Sequence, residues 1–116
     1  MRGRNYEREF CDYAPSKGYH AERVAGSGLR KDSVCDVILI KDGRVFLVEV
    51  KSTRDYVYYL SDKQGVRDRI KKLIKVSKRC GATPLVAVRF KGKNKWVVRK
   101  LSYKLKKVSE SDVSLI

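Results

Sequence analysis

The stretch VCDVILIKDGRVFLVEVK, residues 34–51, decides how this chain folds. It holds two apolar runs, Val34–Ile40 and Val45–Val50, with Asp42-Gly43 between them. Both residue types tolerate positive φ, which a two-residue hairpin turn requires. If Lys41 pairs with Arg44, paired positions sum to 85, and Asp36 falls opposite Glu49. Side chains across an antiparallel rung have Cβ atoms about 4.5–5.5 Å apart. Strand alternation puts Glu49 and Lys51 on one face and Val50 on the other. Val34 would then face Lys51.

Three charged residues therefore gather at the open end of two otherwise apolar strands. Directly opposed like charges destabilise a sheet, so something must offset them. A divalent cation would do so. Mg²⁺ prefers hard oxygen donors and is commonly held by one or two carboxylates together with waters and a phosphate oxygen. Such an ion can polarise a phosphodiester and acidify water, and Lys51 would stand beside the reacting groups. The alternative is a solvated strand end at which Lys51 simply neutralises the carboxylates. A β-bulge would shift the pairing by one residue.

Outward from the hairpin, residues 3–14 carry Tyr6, Phe10, Tyr13 and Ala14 at helical spacing. Pro15 should end or kink that helix. A short strand is expected over 19–25. Residues 52–60 read as a tyrosine-rich connection. Tyr56, Tyr58 and Tyr59 could stack on exposed bases or pack on the core. Ser61-Asp62-Lys63-Gln64 reads as a capping box, followed by a helix with Val66, Ile70, Leu73, Ile74 and Ser77 on one face and Gly81 at its end. Leu85–Phe90 and Trp96–Arg99 are two further strands, and a polar tail with room for one short element follows. The expectation is a single α/β domain over 1–116, with a central mixed β-sheet of about five strands flanked by helices.

Lys plus Arg number 28 against 13 Asp plus Glu, a net charge of +15. That excess calls for a polyanionic partner, and nucleic acid fits best. A basic helix with a large aromatic face, which an acidic membrane surface would favour, does not stand out. No apolar run approaches the roughly 18 residues of a membrane span, and residues 2–5 do not open a secretory signal. An intracellular protein is expected, cytoplasmic and nucleoid-associated, with no membrane partner and no small-molecule cofactor. Cys11, Cys35 and Cys80 are widely spaced, and His20 is the lone histidine. This pattern speaks against a structural zinc site and for reduced, hydrophobic thiols.

Asp36, a twelve-residue gap and Glu49-Val50-Lys51 resemble the PD-(D/E)xK nuclease motif. Gly3-Arg4-Asn5-Tyr6-Glu7-Arg8-Glu9 resembles the opening of archaeal Holliday junction resolvases. Arg23-Val24-Ala25-Gly26-Ser27-Gly28 resembles their phosphate-contacting loop, and Val48–Arg54 their catalytic strand. The likeness spans roughly residues 2–100. It implies a restriction-endonuclease-like fold and a two-fold symmetric homodimer acting on branched, four-way DNA. It also implies Mg²⁺-dependent hydrolysis, with Mn²⁺ as a substitute. Glu7, Asp36 and Glu49 would form the metal site, with the Val50 carbonyl as an extra ligand and Lys51 as catalytic lysine. Arg8, Arg23 and Ser27 would touch phosphates, and Gln64 would approach from the second helix. Arg30 and Lys31 in the 26–33 loop, and Arg54 after the strand, would add phosphate contacts. Another nuclease of the same superfamily, or a non-catalytic DNA-binding protein of this fold, are the competing readings. Cys35 replaces the motif's proline, which is not a ligand.

Overall fold

The structure, a computed structural model, describes residues 5–24, 33–60 and 64–116, with Gln64 described by its backbone alone. Helix α1 covers Tyr6–Tyr13 and continues as a 3₁₀ turn over Ala14–Lys17. The strands are β1 (His20–Arg23), β2 (Val37–Lys41), β3 (Arg44–Thr53), β4 (Val57–Tyr59), β5 (Thr83–Phe90), β6 (Lys95–Lys100) and β7 (Lys107–Ser109), and α2 (Gln64–Cys80) precedes β5.

α1 is shorter than the expected 3–14, because Asn5 is extended and caps it: its side chain accepts from the Arg8 N–H at 3.1 Å. The α-helix ends at Tyr13, just before Pro15, as expected, and the chain goes on as a 3₁₀ turn. Pro15 stands at the start of the 3₁₀ segment, where its missing N–H costs little. Gly18, with φ +91°, then closes that segment, its N–H donating to the Pro15 carbonyl at 3.0 Å.

Five strands form one mixed sheet in the order β1-β2-β3-β5-β6. β3 is central. It pairs antiparallel with β2 and parallel with β5, which the chain reaches by way of α2. The hairpin register is the expected one, Lys41↔Arg44 through Val37↔Val48, and the turn residues Asp42 and Gly43 both have positive φ, 52° and 75°. β4 and β7 form a separate two-stranded sheet, so the tyrosine-rich connection and the tail each hold a strand and meet. Tyr58 packs on the core from there, while Tyr56 and Tyr59 are exposed.

The sheet separates two apolar layers. On one face Phe10 of α1 and Ala14 of the 3₁₀ turn pack with Val37, Leu39, Val48, Val50, Leu85, Ala87, Trp96 and Val98. The Phe10 and Trp96 rings lie 5.0 Å apart, so Trp96 is a core residue. On the other face Ile70, Leu73 and Ile74 of α2 cover Val86, Val88, Phe90 and Val97. Ser77, the last residue of the expected stripe, is buried as well. Ser61, proposed as the cap of α2, lies outside the described residues.

Candidate active site

β3 alternates as a strand must, and this alternation positions the chemistry. Val48 and Val50 point to the α1 layer. Glu49 and Lys51, level with Val86 and Val88 of β5, belong to the opposite face, beneath α2. There the Lys51 ammonium lies 3.4 Å from Glu49 Oε2. Glu49 is 2% exposed.

Asp36 departs from the regular rung. The ladder stops at Val37↔Val48, and the Asp36 N–H donates to the Val48 carbonyl at 2.9 Å. Two successive residues thus address one partner, the geometry of a β-bulge, so Asp36 does not stand directly across from Glu49 and Val34 does not pair with Lys51. The bulge re-aims the Asp36 carboxylate. Its Oδ2 accepts from the Val50 N–H at 2.9 Å, and its carbonyl accepts from the Val24 N–H at 2.8 Å. The two acids still converge, because one group touches both. Arg69 of α2 donates from Nε to both Glu49 oxygens (2.9 and 2.8 Å) and from Nη2 to Asp36 Oδ1 at 3.0 Å. Its Nη1 also reaches the Ser33 carbonyl at 3.4 Å.

Burial first, and the neighbouring Asp36 charge second, hold the Glu49 carboxyl above its usual range, while Lys51 and Arg69 pull it back. Burial and Asp36 likewise push the Cys35 thiol up to about 11, so Cys35 behaves as an inert hydrophobic residue. Glu7, in the first turn of α1, is half-buried and raised by desolvation and then by Asp36. It therefore lies close enough to feel that carboxylate, yet its ion pair is with Arg23, Nη1 at 3.7 Å. Among the described residues, no three Asp, Glu, Cys or His side chains converge as one ligand cluster. Asp36 and Glu49 are the pair brought together, and Glu7 stands at their margin.

Two adjacent buried carboxylates are hard oxygen donors that need a cation, and they fit Mg²⁺, which accepts one or two carboxylates and completes its shell from elsewhere. The Val50 N–H, not its carbonyl, is the group that meets Asp36. Of the phosphate-contact candidates, Arg8 and Arg54 are exposed and Arg23 is engaged by Glu7. Ser27, Arg30, Lys31 and the Gln64 side chain lie outside the described residues.

Sequence reasoning missed Arg69. It was legible as an anomaly: three residues after Val66 and four before Leu73, it shares the inward stripe of α2. A charge on that stripe needs a buried partner.

A mixed sheet flanked by helices, with an aspartate, a glutamate and a lysine gathered at the open end of its central hairpin, defines a restriction-endonuclease-like nuclease of the PD-(D/E)xK class. More narrowly, residues 1–114 match the model of the archaeal Holliday junction resolvase (Hjc) family, and the chain belongs to that family. A crossover junction endodeoxyribonuclease of Sulfolobus islandicus rod-shaped virus 1 is 29% identical over 100 residues, 86% of this chain and 81% of the viral protein. The crossover junction endodeoxyribonuclease Hjc of Sulfurisphaera tokodaii is 36% identical over 75 residues, 61% of this chain and 52% of the relative. The solved structure of Archaeoglobus fulgidus Hjc, a Holliday junction resolvase from an archaeal hyperthermophile, aligns with a TM-score of 0.73 and 25% identity, covering 95% of this chain and 92% of that one.

Proposed function

We propose that this protein is an endonuclease that resolves four-way DNA junctions by Mg²⁺-dependent phosphodiester hydrolysis. The observation that carries this reading is the buried Asp36–Glu49 pair with the Lys51 ammonium beside it, in a chain of the resolvase family. A structural strand end has no use for two sequestered acids, and a simple phosphate binder is weakened by them.

Asp36 and Glu49 would hold the ion, with the Val50 carbonyl and Glu7 as further oxygen donors; when bound, Mg²⁺ polarises the scissile phosphate and acidifies water, and Mn²⁺ would substitute. Lys51 supplies the chain's own electrostatics. Its ammonium, fixed against Glu49, orients the attacking water and stabilises the negative charge that builds on phosphate oxygens as the new P–O bond forms and the old one breaks. Burial keeps these charges in a low-dielectric setting, where each acts more strongly than in water.

Arg8, Arg23, Arg54, Arg30 and Lys31, with Ser27 and Gln64, would grip phosphates around the cut. These contacts fix position without reading bases, so selectivity would come from DNA shape. The net charge of +15 supports steering onto a polyanion. A two-fold homodimer would present one site to each of two opposed strands, matching the approximate symmetry of a junction. Among the described residues no helix is long and apolar enough to cross a membrane, and an intracellular, nucleoid-associated setting is part of this proposal.

The test is cleavage of a synthetic four-way junction in Mg²⁺, with cut sites mapped on all four strands. Paired nicks on opposed strands are expected, with linear duplex left intact. Equal cutting of linear duplex would sink the junction assignment. The accompanying mass measurement should give twice the chain mass.

A further inference from the structure

We infer that Arg69 is the resident counter-ion of the metal site, a guanidinium that competes with the divalent cation for Asp36 and Glu49 and must be displaced for the ion to enter. This rests on the metal reading above.

All four carboxylate oxygens are already engaged. Asp36 gives Oδ1 to Arg69 Nη2 and Oδ2 to the Val50 N–H. Glu49 gives Oε1 to Arg69 Nε and shares Oε2 between that same Nε and the Lys51 ammonium. Arg69 and Lys51 are thus both set against the pair. A dication added with Arg69 in place would put two cations against the same carboxylate oxygens in a largely buried setting, which is strongly unfavourable. Removing Lys51 does not make room across the pair, since its ion pair is with Glu49. Arg69 is the group that spans both acids, and spanning both acids is what a metal ion does.

The geometry also shows how Arg69 can leave. Its side chain is 26% exposed, against 3% for Glu49 and 8% for Asp36. The acids are fixed by the sheet and its bulge, whereas the guanidinium comes from α2 on a long side chain with one edge toward solvent. It is the part that can swing out without breaking the ladder. In its absence the metal-free protein would hold two adjacent buried carboxylates without the guanidinium that bridges them. Arg69 therefore lets the domain fold before metal arrives, at the cost of weaker metal binding.

The experiment titrates Mn²⁺ alone into wild type, Arg69→Gln, Arg69→Lys and Glu49→Gln, following the spectroscopic signal of free Mn²⁺ and the heat of binding. Arg69→Gln should bind roughly tenfold tighter than wild type, about 1.4 kcal/mol. Arg69→Lys, whose lone ammonium cannot span both acids, should fall between them. Without metal, Arg69→Gln should melt below wild type, and Mn²⁺ should raise its midpoint by more. If Arg69→Gln unfolds when metal is chelated while wild type stays folded, the same conclusion holds, and Arg69→Lys supplies the affinity comparison. Mn²⁺ binding that needs Glu49 but is equal or weaker in both Arg69 variants would overturn the inference and leave the metal reading standing. Binding that ignores Glu49 in every variant would overturn both.

Discussion

The two ends of the β2–β3 hairpin are built on opposite principles. At the turn, each rung from Lys41↔Arg44 onward is regular, and Ile40 and Val45 are exposed at 42% and 39%. At the open end the ladder breaks at Asp36, and the side chains there are buried charges tied to a helix far along the chain. The turn end is set by backbone preference and flanked by β1 pairing and by Lys41, whose ammonium donates to the Lys17 carbonyl at 3.2 Å. The open end is held by α2 through Arg69, by β5 alongside β3, and by a bulge that aims one carboxylate at the other. Regular pairing sets the register, and departure from it makes the site.

If that contrast is right, changes at the two ends should separate activity from stability. The largest effect belongs to Glu49→Gln, which should lower junction cleavage on the order of 10³-fold, since it removes charge at the reacting centre. Junction binding should persist in a mobility-shift assay, because the proposed phosphate contacts, Arg8, Arg23 and Arg54 among them, are other residues. Loss of binding and cleavage together would mean that the open end is structural.

Acidity is the next probe. A raised carboxyl pKa means that the folded protein keeps a proton the unfolded chain has released. From the usual 4.5 up to the raised folded value, the Glu49 contribution to metal-free stability therefore falls as pH rises, and above that value its full cost remains. The thermal midpoint of wild type relative to Glu49→Gln should accordingly be higher near the bottom of that window than at neutral pH. Mn²⁺ affinity should climb through the same window as Glu49 ionises. A midpoint difference that does not change with pH would show that Glu49 titrates as an ordinary surface acid.

At the turn end, Gly43→Val should cost about 1–2 kcal/mol, because Gly43 has φ +75° and a branched side chain is strained there. Nothing lies within 4 Å of the added Cβ, so the cost is conformational only. Chemical denaturation should register the loss while cleavage per folded molecule stays unchanged. A fall in activity there would mean that the two ends are coupled. Smaller still, Asn5→Ala should cost roughly 1 kcal/mol by uncapping α1, read by the same denaturation. Mn²⁺ affinity should barely move, since Glu7 on that helix stands at the margin of the acid pair.

What could be read from the chain follows the same division. Asp42-Gly43 and the apolar runs specify the hairpin because turn chemistry and alternation are local. From them came the register, the shared face of Glu49 and Lys51, and the five-strand α/β plan. The bulge at Asp36 is not local. It depends on Val24 and Val50 closing around that residue, so a rung count carried one residue too far. The pairing of β4 with β7 was illegible for a related reason: each strand has three residues, too few to show a period, and they lie in distant parts of the chain. Arg69 was visible only as a misplaced charge on an apolar stripe. Its partners, 20 and 33 residues earlier in sequence, emerge once α2 lies across the sheet.

The Val50 N–H, donated to Asp36, belongs to the innermost strand of the sheet. Segments bonded on both flanks and packed on both faces open to solvent only when the whole domain does. The proposed catalytic centre therefore shares one cooperative unit with the core. Amide hydrogen exchange at Val50 and Lys51 should report global unfolding, and heat should inactivate the enzyme and melt it at one temperature, with no interval in which an intact fold carries a disordered site.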